Sequence, residues 1–351
     1  MCRFFPQKQI YRVSGDEFVM ICPGMGYRSF LSACRAMEKE LKKSQEDLAA
    51  FGYAWGSETE DLNELIHKAE QVMYAQRRKY AMRGGSSPRR PGRPEYLDGL
   101  LREFRQSNFV VYLQPLYGVE QGAVIGAEAL VRKIDEEGNV HAPFEFVHMM
   151  EEENLISVVD YEMLEQSCRL LKEVGERWPG FQLSCNMSRN TLAELDYLDR
   201  IDDILKRTGV DHSQLIFEVT ESSRGLQLES IEDRLNALKA RGIAVAVDDM
   251  GTECSCLEML YLPQLDLVKI DRSLISKTGH GPREQAVIGS LIDLCHKLGL
   301  GCIAEGIETK EQGELLKSLG CDRLQGYYFG RPMPPQEFFA QFGPGAQEHQ
   351  T

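Results

Sequence analysis

Oxygen-bearing side chains recur near the carboxyl ends of short apolar segments in the C-terminal two-thirds of this 351-residue chain. The set consists of carboxylates and amides joined by one lysine: Glu128, Asn186, Glu218 with Glu221 beyond it, Asp248-Asp249, Lys269 with Asp271, Glu305 with Glu308 beyond it, and Gln325. Such oxygen ligands suit Mg²⁺ or Mn²⁺ and not zinc. In the adjacent pair Asp248-Asp249, one carboxylate could bridge two ions while its neighbour holds the second. That arrangement fits two-metal hydrolysis of a phosphodiester.

Each of these residues, taken alone, also has an ordinary structural explanation. A glutamate at a strand end, such as Glu128, is usually a capping or loop-facing carboxylate, and Asp248-Asp249 could simply cap the following helix. Lys269 alone would most often be a solvated lysine at a barrel rim. The same placement in one segment after another is hard to attribute to chance, so the sequence favours a common site.

The segments that carry these residues alternate with helical patterns. Strand-like apolar runs lie at 109–113, 125–131, 182–186, 215–219, 244–248, 267–270, 302–304 and 324–329, and helical patterns lie at 159–178, 228–240, 284–298 and 310–319. Eight strands with intervening helices over about 250 residues predict an α/β fold of the TIM-like (β/α)8 barrel type. The strands' carboxyl ends then meet at one mouth. Because the turn at 117–122 is too short for a parallel crossover, we expect one antiparallel strand.

The region before the barrel predicts a separate, small α+β domain. Residues 84–95 are rich in Gly, Ser, Pro and Arg, the composition of an exposed linker. We therefore divide the chain into a first domain at 1–83, the linker at 84–95, the barrel at 96–345 and a tail at 346–351. The first domain is predicted to contain a hairpin (10–13 with 18–21), helices at 27–46 and 61–81, and a short strand at 50–55.

Charge and cysteine usage narrow the possible partners and compartment. The net charge is −14, with +4 in residues 1–95 and −18 in the remainder. An acidic barrel disfavours binding to duplex nucleic acid. No apolar stretch is long enough for a membrane span or a signal peptide. The ten cysteines contain no CxxC pair and have mostly apolar neighbours, so we expect reduced thiols in a cytoplasmic protein.

The second domain resembles a known family, the EAL-domain phosphodiesterases. Glu128-Ala129-Leu130 is the motif that gives the family its name, and the resemblance runs from about residue 96 to 339. It includes Gln114-Pro115-Leu116, Asn186-Met187-Ser188, Glu218-Val219-Thr220-Glu221, Asp248-Asp249, Val268-Lys269-Ile270-Asp271, Ala304-Glu305-Gly306-Ile307-Glu308 and Gln325-Gly326-Tyr327. Together, and in this order, these motifs are highly specific.

The resemblance implies a role for each of these residues. Glu128, Asn186, Glu218 and Asp248 would ligate a first metal ion, and Asp248, Asp249 and Glu305 a second. Lys269 would contact the attacking water or a phosphate oxygen, which makes Lys269, Glu305 and Glu128 the expected catalytic residues. Contacts to the guanines or phosphates would come from Gln114, Leu116, Arg132, Asn186, Asp249, Lys269, Glu308 and Gln325. Glu221 would support the loop after the fifth strand.

The resemblance also implies a reaction: water opens one phosphodiester of cyclic di-GMP to give linear pGpG, supported by Mg²⁺ or Mn²⁺. EAL barrels often dimerise, so a homodimer is expected. One departure concerns the loop after Asp249, where the family usually has Phe-Gly-Thr-Gly-Tyr-Ser-Ser and this chain reads Met250-Gly251-Thr252-Glu253-Cys254-Ser255-Cys256. This change leaves open an alternative, a catalytically weak cyclic di-GMP receptor that uses the same pocket. A purely structural, partner-binding protein is a third hypothesis.

The first domain resembles the C-terminal half of a GGDEF domain, the diguanylate cyclase fold. The matching residues are Tyr11-Arg12-Val13-Ser14-Gly15-Asp16-Glu17-Phe18 and a final helix that ends near Ala69-Glu70-Gln71-Val72-Met73-Tyr74. The strand that supplies a metal-binding aspartate in that fold would lie upstream of Met1. Asp16 and Glu17 therefore lack their usual co-ligands, and we expect no condensation of GTP.

Overall fold

The structure, a computed structural model, describes residues 4–5, 9–14, 17–43, 51–56, 62, 64–66, 68–70, 72–73, 76, 108–175, 177–220, 228–250, 259–276 and 281–344. The chain forms two compact units. The first unit comprises Met1–Ser107 with Met149–Leu155 and Glu194–Asp196, and the second comprises the remaining residues. The linker predicted at 84–95 lies outside the described residues.

The first unit contains the predicted hairpin and its first helix. Strands β1 (Gln9–Ser14) and β2 (Glu17–Ile21) pair antiparallel, and helix α1 (Tyr27–Lys43) follows. The described residues between 62 and 76 are helical, as predicted, but those of 51–56 form no strand. The Phe51 amide donates to the Gln76 Oε1 atom at 3.4 Å, so it bonds to a side chain and not to a neighbouring strand. The Trp55 indole donates to the Met25 carbonyl at 3.0 Å and packs edge-on against the Tyr27 ring.

The second unit is a closed β-barrel. Its sheet contains β3 (Asn108–Gly118), β4 (Ala123–Ile134), a short β5 (Val140–His141), β6 (Gln182–Asn186), β7 (Leu215–Thr220), β8 (Ala244–Met250), β9 (Leu267–Ile270), β10 (Gly301–Ala304) and β11 (Arg323–Gln325). The strand order is β3-β11-β10-β9-β8-β7-β6-β4-β5, and an additional β3–β4 pairing closes the ring. Eight strands thus form the predicted (β/α)8 barrel, and β5 extends β4 outside it.

Helices connect the parallel strands. They are α2 (Val147–Glu152), α3 (Ile156–Val174), α4 (Arg189–Leu192), α5 (Tyr197–Thr208), α6 (Leu228–Lys239), α7 (Arg272–Ile275), α8 (Pro282–Lys297), α9 (Lys310–Ser318) and α10 (Pro335–Phe342), with 3-10 turns at Pro143–Glu145 and His212–Gln214. The helices predicted from periodicity are confirmed with ends shifted by a few residues. No helix among the described residues has both the length and the hydropathy that crossing a bilayer would require.

One strand runs against the others, as the short turn at 117–122 predicts. β3 pairs antiparallel with β4 and also antiparallel with β11, because a reversed strand in a closed ring has two opposed neighbours. The last strand is shorter than predicted and ends at Gln325. The prediction of a strand to residue 329 was wrong beyond that point: the Tyr328 amide donates to Ile307 and the Phe329 amide to Gly326, which turns the chain away.

The barrel interior begins with an apolar layer near the amino-terminal ends of the parallel strands. Five fully or nearly fully buried residues, one from each of five strands, pack together there: Leu116, Ile216, Ala246, Leu267 and Ile303. Because side chains alternate between the two faces of a strand, their outward neighbours, such as Val245 and Phe217, are buried under the helices. This apolar layer, called the floor below, closes the barrel beneath the polar side chains at the carboxyl ends of the strands.

Candidate active site at the barrel mouth

A ring of polar side chains lies one layer above the apolar floor. Each floor residue has a polar residue two positions away along the chain, on the same face: Gln114 on β3, Glu218 on β7, Asp248 on β8, Lys269 on β9 and Glu305 directly after β10. Glu128 on β4, Asn186 on β6 and Gln325 on β11 complete the ring through the hydrogen bonds given below. Because side chains alternate between the two faces of a strand, polar residues that are far apart in the sequence form one cluster at the carboxyl ends of the strands.

Lys269 is the centre of this cluster. Its side chain is 1% exposed, and its Nζ lies 2.6 Å from Glu305 Oε1 and 2.8 Å from Glu218 Oε2. Glu128 Oε2 and Asp248 Oδ1 each lie 3.3 Å away. Burial would lower the pKa of this lysine, but the surrounding carboxylates raise the pKa well above its ordinary value. Lys269 is therefore a permanent positive charge that draws carboxylates from four strands together.

Amide groups fix the orientation of Glu128. Asn186 Nδ2 donates to Glu128 Oε1 at 3.0 Å, and Gln325 Nε2 donates to Glu128 Oε2 at 2.7 Å. Gln325 Nε2 also donates to Gln114 Oε1 at 3.2 Å, and Gln114 Nε2 in turn donates to the Gly330 carbonyl at 3.3 Å. Both carboxylate oxygens of Glu128 thus have a donor, so the side chain is held in place.

A β-bulge brings two consecutive carboxylates to the same rim. In a regular strand, Asp248 and Asp249 would point to opposite faces, but the pairing of β8 with β9 shifts register between Val247 and Met250. Asp249 takes a left-handed backbone conformation with φ of 59°, which aspartate tolerates better than most residues. Its amide donates to Asp248 Oδ1 at 2.8 Å. As a result, one oxygen each of Asp248, Asp249 and Glu305 lie within 4.8 Å of one another.

The cluster contains far more negative than positive charge. Five carboxylates face the single ammonium of Lys269: Glu128, Glu218, Asp248, Asp249 and Glu305. Burial raises the pKa of Glu305 to about 8, and burial together with the charge of Asp248 raises the pKa of Asp249 to about 6. Burial and the charge of Glu128 likewise raise the pKa of Glu218 well above its usual range. The site therefore has an excess of negative charge that bound cations would compensate.

The donor set fits divalent metal ions of the Mg²⁺ class. Its atoms are carboxylate and amide oxygens, the ligands that hard cations prefer. The trio Asp248, Asp249 and Glu305 provides one cation position, and the carboxylates of Glu128 and Glu218 meet Asp248 around the Lys269 ammonium. Added cations would also relieve the excess negative charge. The residues present therefore fit the metal binding that the sequence predicts.

The rim above the ring carries aromatic and guanidinium groups. Among these residues, the sequence predicted a substrate contact only for Arg132. The Arg132 guanidinium lies 5.3 Å from the centre of the Tyr112 ring, and the Arg331 guanidinium lies 4.1 Å from that of Tyr327. The sequence signal for Tyr327 was its position directly after Gln325-Gly326. Flat aromatic and cationic groups of this kind suit a nucleotide base and its phosphate.

Several predicted residues lie away from the ring. Leu116 belongs to the apolar floor, below Gln114, and its contact with a substrate stays a prediction. Glu308 is exposed in the loop that leads into α9. Asp271 caps α7 by accepting a hydrogen bond from the Ser273 amide at 2.8 Å, so the structural explanation holds for it. Glu221 and the altered loop at 251–256 lie outside the described residues.

Comparisons with known proteins agree with this geometry. The EAL domain profile matches residues 98–332. Two bacterial relatives are each 30% identical: signaling protein YkoW of Bacillus subtilis, over 94% of this chain and 43% of its own, and the bifunctional diguanylate cyclase/cyclic di-GMP phosphodiesterase MucR of Pseudomonas aeruginosa, over 95% and 51%. The chain thus spans about half the length of these relatives. The solved phosphodiesterase of MucR in complex with cyclic di-GMP superposes with a TM-score of 0.63 at 31% identity, covering 70% of this chain and all of that one.

Proposed function

This chain belongs to the EAL domain family, and from that premise we propose that its barrel hydrolyses one phosphodiester bond of cyclic di-GMP to give linear pGpG. EAL phosphodiesterases depend on divalent metal ions. The observation that carries the proposal is the ring itself, in which five carboxylates and one lysine from five strands or strand ends meet over an apolar floor. The MucR barrel, which superposes on this one, binds cyclic di-GMP.

The proposed metal site holds two ions of Mg²⁺ or Mn²⁺. Glu128, Asn186, Glu218 and Asp248 would hold the first, and Asp248, Asp249 and Glu305 the second. When bound, the ions neutralise the phosphate, acidify the attacking water and stabilise the leaving oxygen. Asp248 would contribute to both positions, which is supported by its place beside both groups: its carboxylate is 3.3 Å from Lys269 and within 4.8 Å of the Asp249 and Glu305 oxygens.

The chain's own groups bind and orient the reactants. Lys269 remains protonated and donates hydrogen bonds, so it would position the water or a phosphate oxygen while holding Glu218 and Glu305 in place. Gln114 and Gln325 would contact the substrate from β3 and β11, next to the fixed carboxylate of Glu128. Arg132 would pair with a phosphate at the rim, and Glu308 with a guanine edge. The apolar floor, which includes Leu116, excludes water from below.

Further proposals concern the context of the barrel. We assign residues 1–83 to a GGDEF-like segment, supported by the 95% of this chain that MucR, a bifunctional cyclase and phosphodiesterase, matches. Asp16 of its motif lies outside the described residues. The protein is proposed to act in the cytoplasm, since buried free thiols such as Cys168 and Cys185 are typical of a reducing compartment. A homodimer is proposed from family resemblance, with size-exclusion light scattering as its test.

The test is a turnover assay of the purified protein with cyclic di-GMP and either Mn²⁺ or Mg²⁺, in which pGpG is followed by chromatography. We expect product with metal, none with a chelator, and none from Glu128→Ala, which removes the carboxylate that three neighbouring side chains contact. A matched control is Glu162→Ala on the barrel exterior, which should leave turnover unchanged. Tight binding of the nucleotide without product, under both metals, would refute hydrolysis and support the receptor alternative.

A further inference from the structure

A second cluster of metal-ligating side chains lies at the opposite end of the barrel from the mouth. His296 stands in the last turn of α8, Cys302 is the second residue of β10, and Asp322 directly precedes β11. Because β10 and β11 are parallel, their first residues lie at the base of the barrel, away from Glu305 and Gln325 at the carboxyl ends. The phosphodiesterase chemistry uses none of these three residues.

The three side chains converge although they come from three different segments. The His296 Nε2 atom lies 2.9 Å from Asp322 Oδ2, which also accepts a hydrogen bond from the Cys302 amide at 2.7 Å. One nitrogen, one sulfur and one oxygen of His296, Cys302 and Asp322 lie within 4.8 Å of one another. A second thiol, that of Cys295, hydrogen-bonds to the Cys302 side chain. The group therefore offers three kinds of donor atom and has a fourth donor beside it.

The donor atoms of this cluster favour a different metal ion from the one that the oxygen ligands at the barrel mouth favour. Imidazole nitrogen with thiolate sulfur suits a borderline ion such as Zn²⁺, whereas Mg²⁺ takes oxygen ligands. Zinc bonds of roughly 2.0–2.3 Å at tetrahedral angles separate ligand atoms by about 3.3–3.7 Å. The His296–Asp322 distance would thus open by roughly half an ångström, an easy change for two exposed side chains. Their exposure also supplies an entry path to the buried Cys302 sulfur.

We infer that His296, Cys302 and Asp322 form a binding site for one Zn²⁺-class ion, with water as the fourth ligand. Asp322 would keep one oxygen on the Cys302 amide while it binds the ion, a contact that orients the ligand. The ion would join the end of α8 to the starts of β10 and β11. It would therefore stabilise the base of the barrel without taking part in hydrolysis.

The experiment is a Co²⁺ titration of tag-free, chelator-treated and reduced protein in the presence of excess Mg²⁺, which occupies the oxygen-rich mouth. Thiolate-bound Co²⁺ gives a sulfur-to-metal charge-transfer band that oxygen ligands do not give. We expect the band to saturate at one equivalent and to disappear when Zn²⁺ displaces Co²⁺. His296→Gln and Asp322→Asn should weaken Co²⁺ binding at least tenfold, and Cys302→Ala should abolish the band.

Two control variants keep the outcome interpretable. Cys168→Ala removes a buried thiol on α3, and His148→Gln removes an exposed imidazole on α2; both should retain the band with unchanged affinity. A protein that gives no charge-transfer band at saturating Co²⁺, or a band that survives Cys302→Ala, would overturn the inference. The cluster would then be a hydrogen-bonded cap at the base of β10 and β11. Because absorbance is the readout, failure here is independent of whether cyclic di-GMP is hydrolysed.

Discussion

Replacing Lys269 with methionine should reveal how the ring of carboxylates is held together. The substitution keeps an unbranched, buried side chain but removes the ammonium that lies 2.6–3.3 Å from four carboxylates. Removing one partner of a buried ion pair costs about 3–5 kcal/mol, since the other charge remains without compensation. For a barrel of this size, 1 kcal/mol shifts the melting temperature by about 2–4 °C. The melting temperature in chelator should therefore fall by roughly 6–20 °C.

Added Mn²⁺ and a lower pH should each restore part of the stability that Lys269→Met loses. Mn²⁺ supplies the missing positive charge, so it should raise the melting temperature of Lys269→Met more than that of the unsubstituted protein. Lys269 lowers the pKa values of Glu218, Glu305 and Asp249, which burial has already raised, so without the lysine these three pKa values should rise further. Stability of Lys269→Met should accordingly decrease as pH rises from about 5 to 9, because charging the buried carboxyl groups is what destabilises the fold.

The assay is thermal unfolding followed by circular dichroism, in chelator and in Mn²⁺, across that pH range. Lys206→Met, at an exposed position on α5, is the matched control and should shift the melting temperature by less than about 2 °C. A Lys269→Met protein that melts with the control in chelator, or that gains nothing extra from Mn²⁺, would refute the view that this ammonium balances the carboxylates.

Three further predictions follow from the geometry. Asp248→Asn should lower turnover of cyclic di-GMP by about 10²-fold or more in a steady-state assay, because it weakens the residue that we propose as a ligand at both metal positions; turnover within tenfold of normal would contradict the shared role. Gly306→Ala should lower the melting temperature more than Gly299→Ala, since both positions have left-handed φ but only at 306 would an added Cβ collide with Arg272 Cβ; equal shifts would contradict this. The His141 ring donates hydrogen bonds to the carboxylates of Asp135 and Glu145, which raises the pKa of His141, so Asp135→Asn should lower the pKa measured by NMR titration of the ring; an unchanged value would count against that pairing.

Much of the barrel could be predicted from short apolar runs and helical periodicity. The strands at 182–186 and 267–270 match β6 and β9 residue for residue. The strand ends were harder, because backbone contacts between distant loops decide them. Residues 326–329 have strand-like composition, but Tyr328 hydrogen-bonds to Ile307, from the loop after β10, and turns the chain. In the same way, the segment 51–56 forms no strand, and its Phe51 amide bonds to the distant Gln76 side chain.

The sequence was sufficient to predict which residues form the site, but not how deeply they are buried or how their charges interact. The rule that polar residues lie at strand ends identified Glu218, Lys269 and Glu305 correctly as one cluster. It also included Asp271, which caps α7, because sequence alone does not distinguish a capping aspartate from a ligand. A single lysine at a strand end is most often solvated, so its burial has no local signal in the sequence; the 1% exposure of Lys269 reflects the closure of the barrel around it. The bulge that aligns Asp248 with Asp249 depends on pairing between strands and has no local signal.

The measurement that tests the central claim most directly is a crystal structure of the protein soaked with Mn²⁺, with anomalous diffraction recorded at the manganese edge. The account predicts an anomalous peak between the carboxylates of Asp248, Asp249 and Glu305, and a second peak bounded by Glu128, Glu218 and Asp248. Crystals that are saturated with Mn²⁺ and show no peak at the ring, while the Lys269 ammonium keeps its four carboxylate partners, would contradict it.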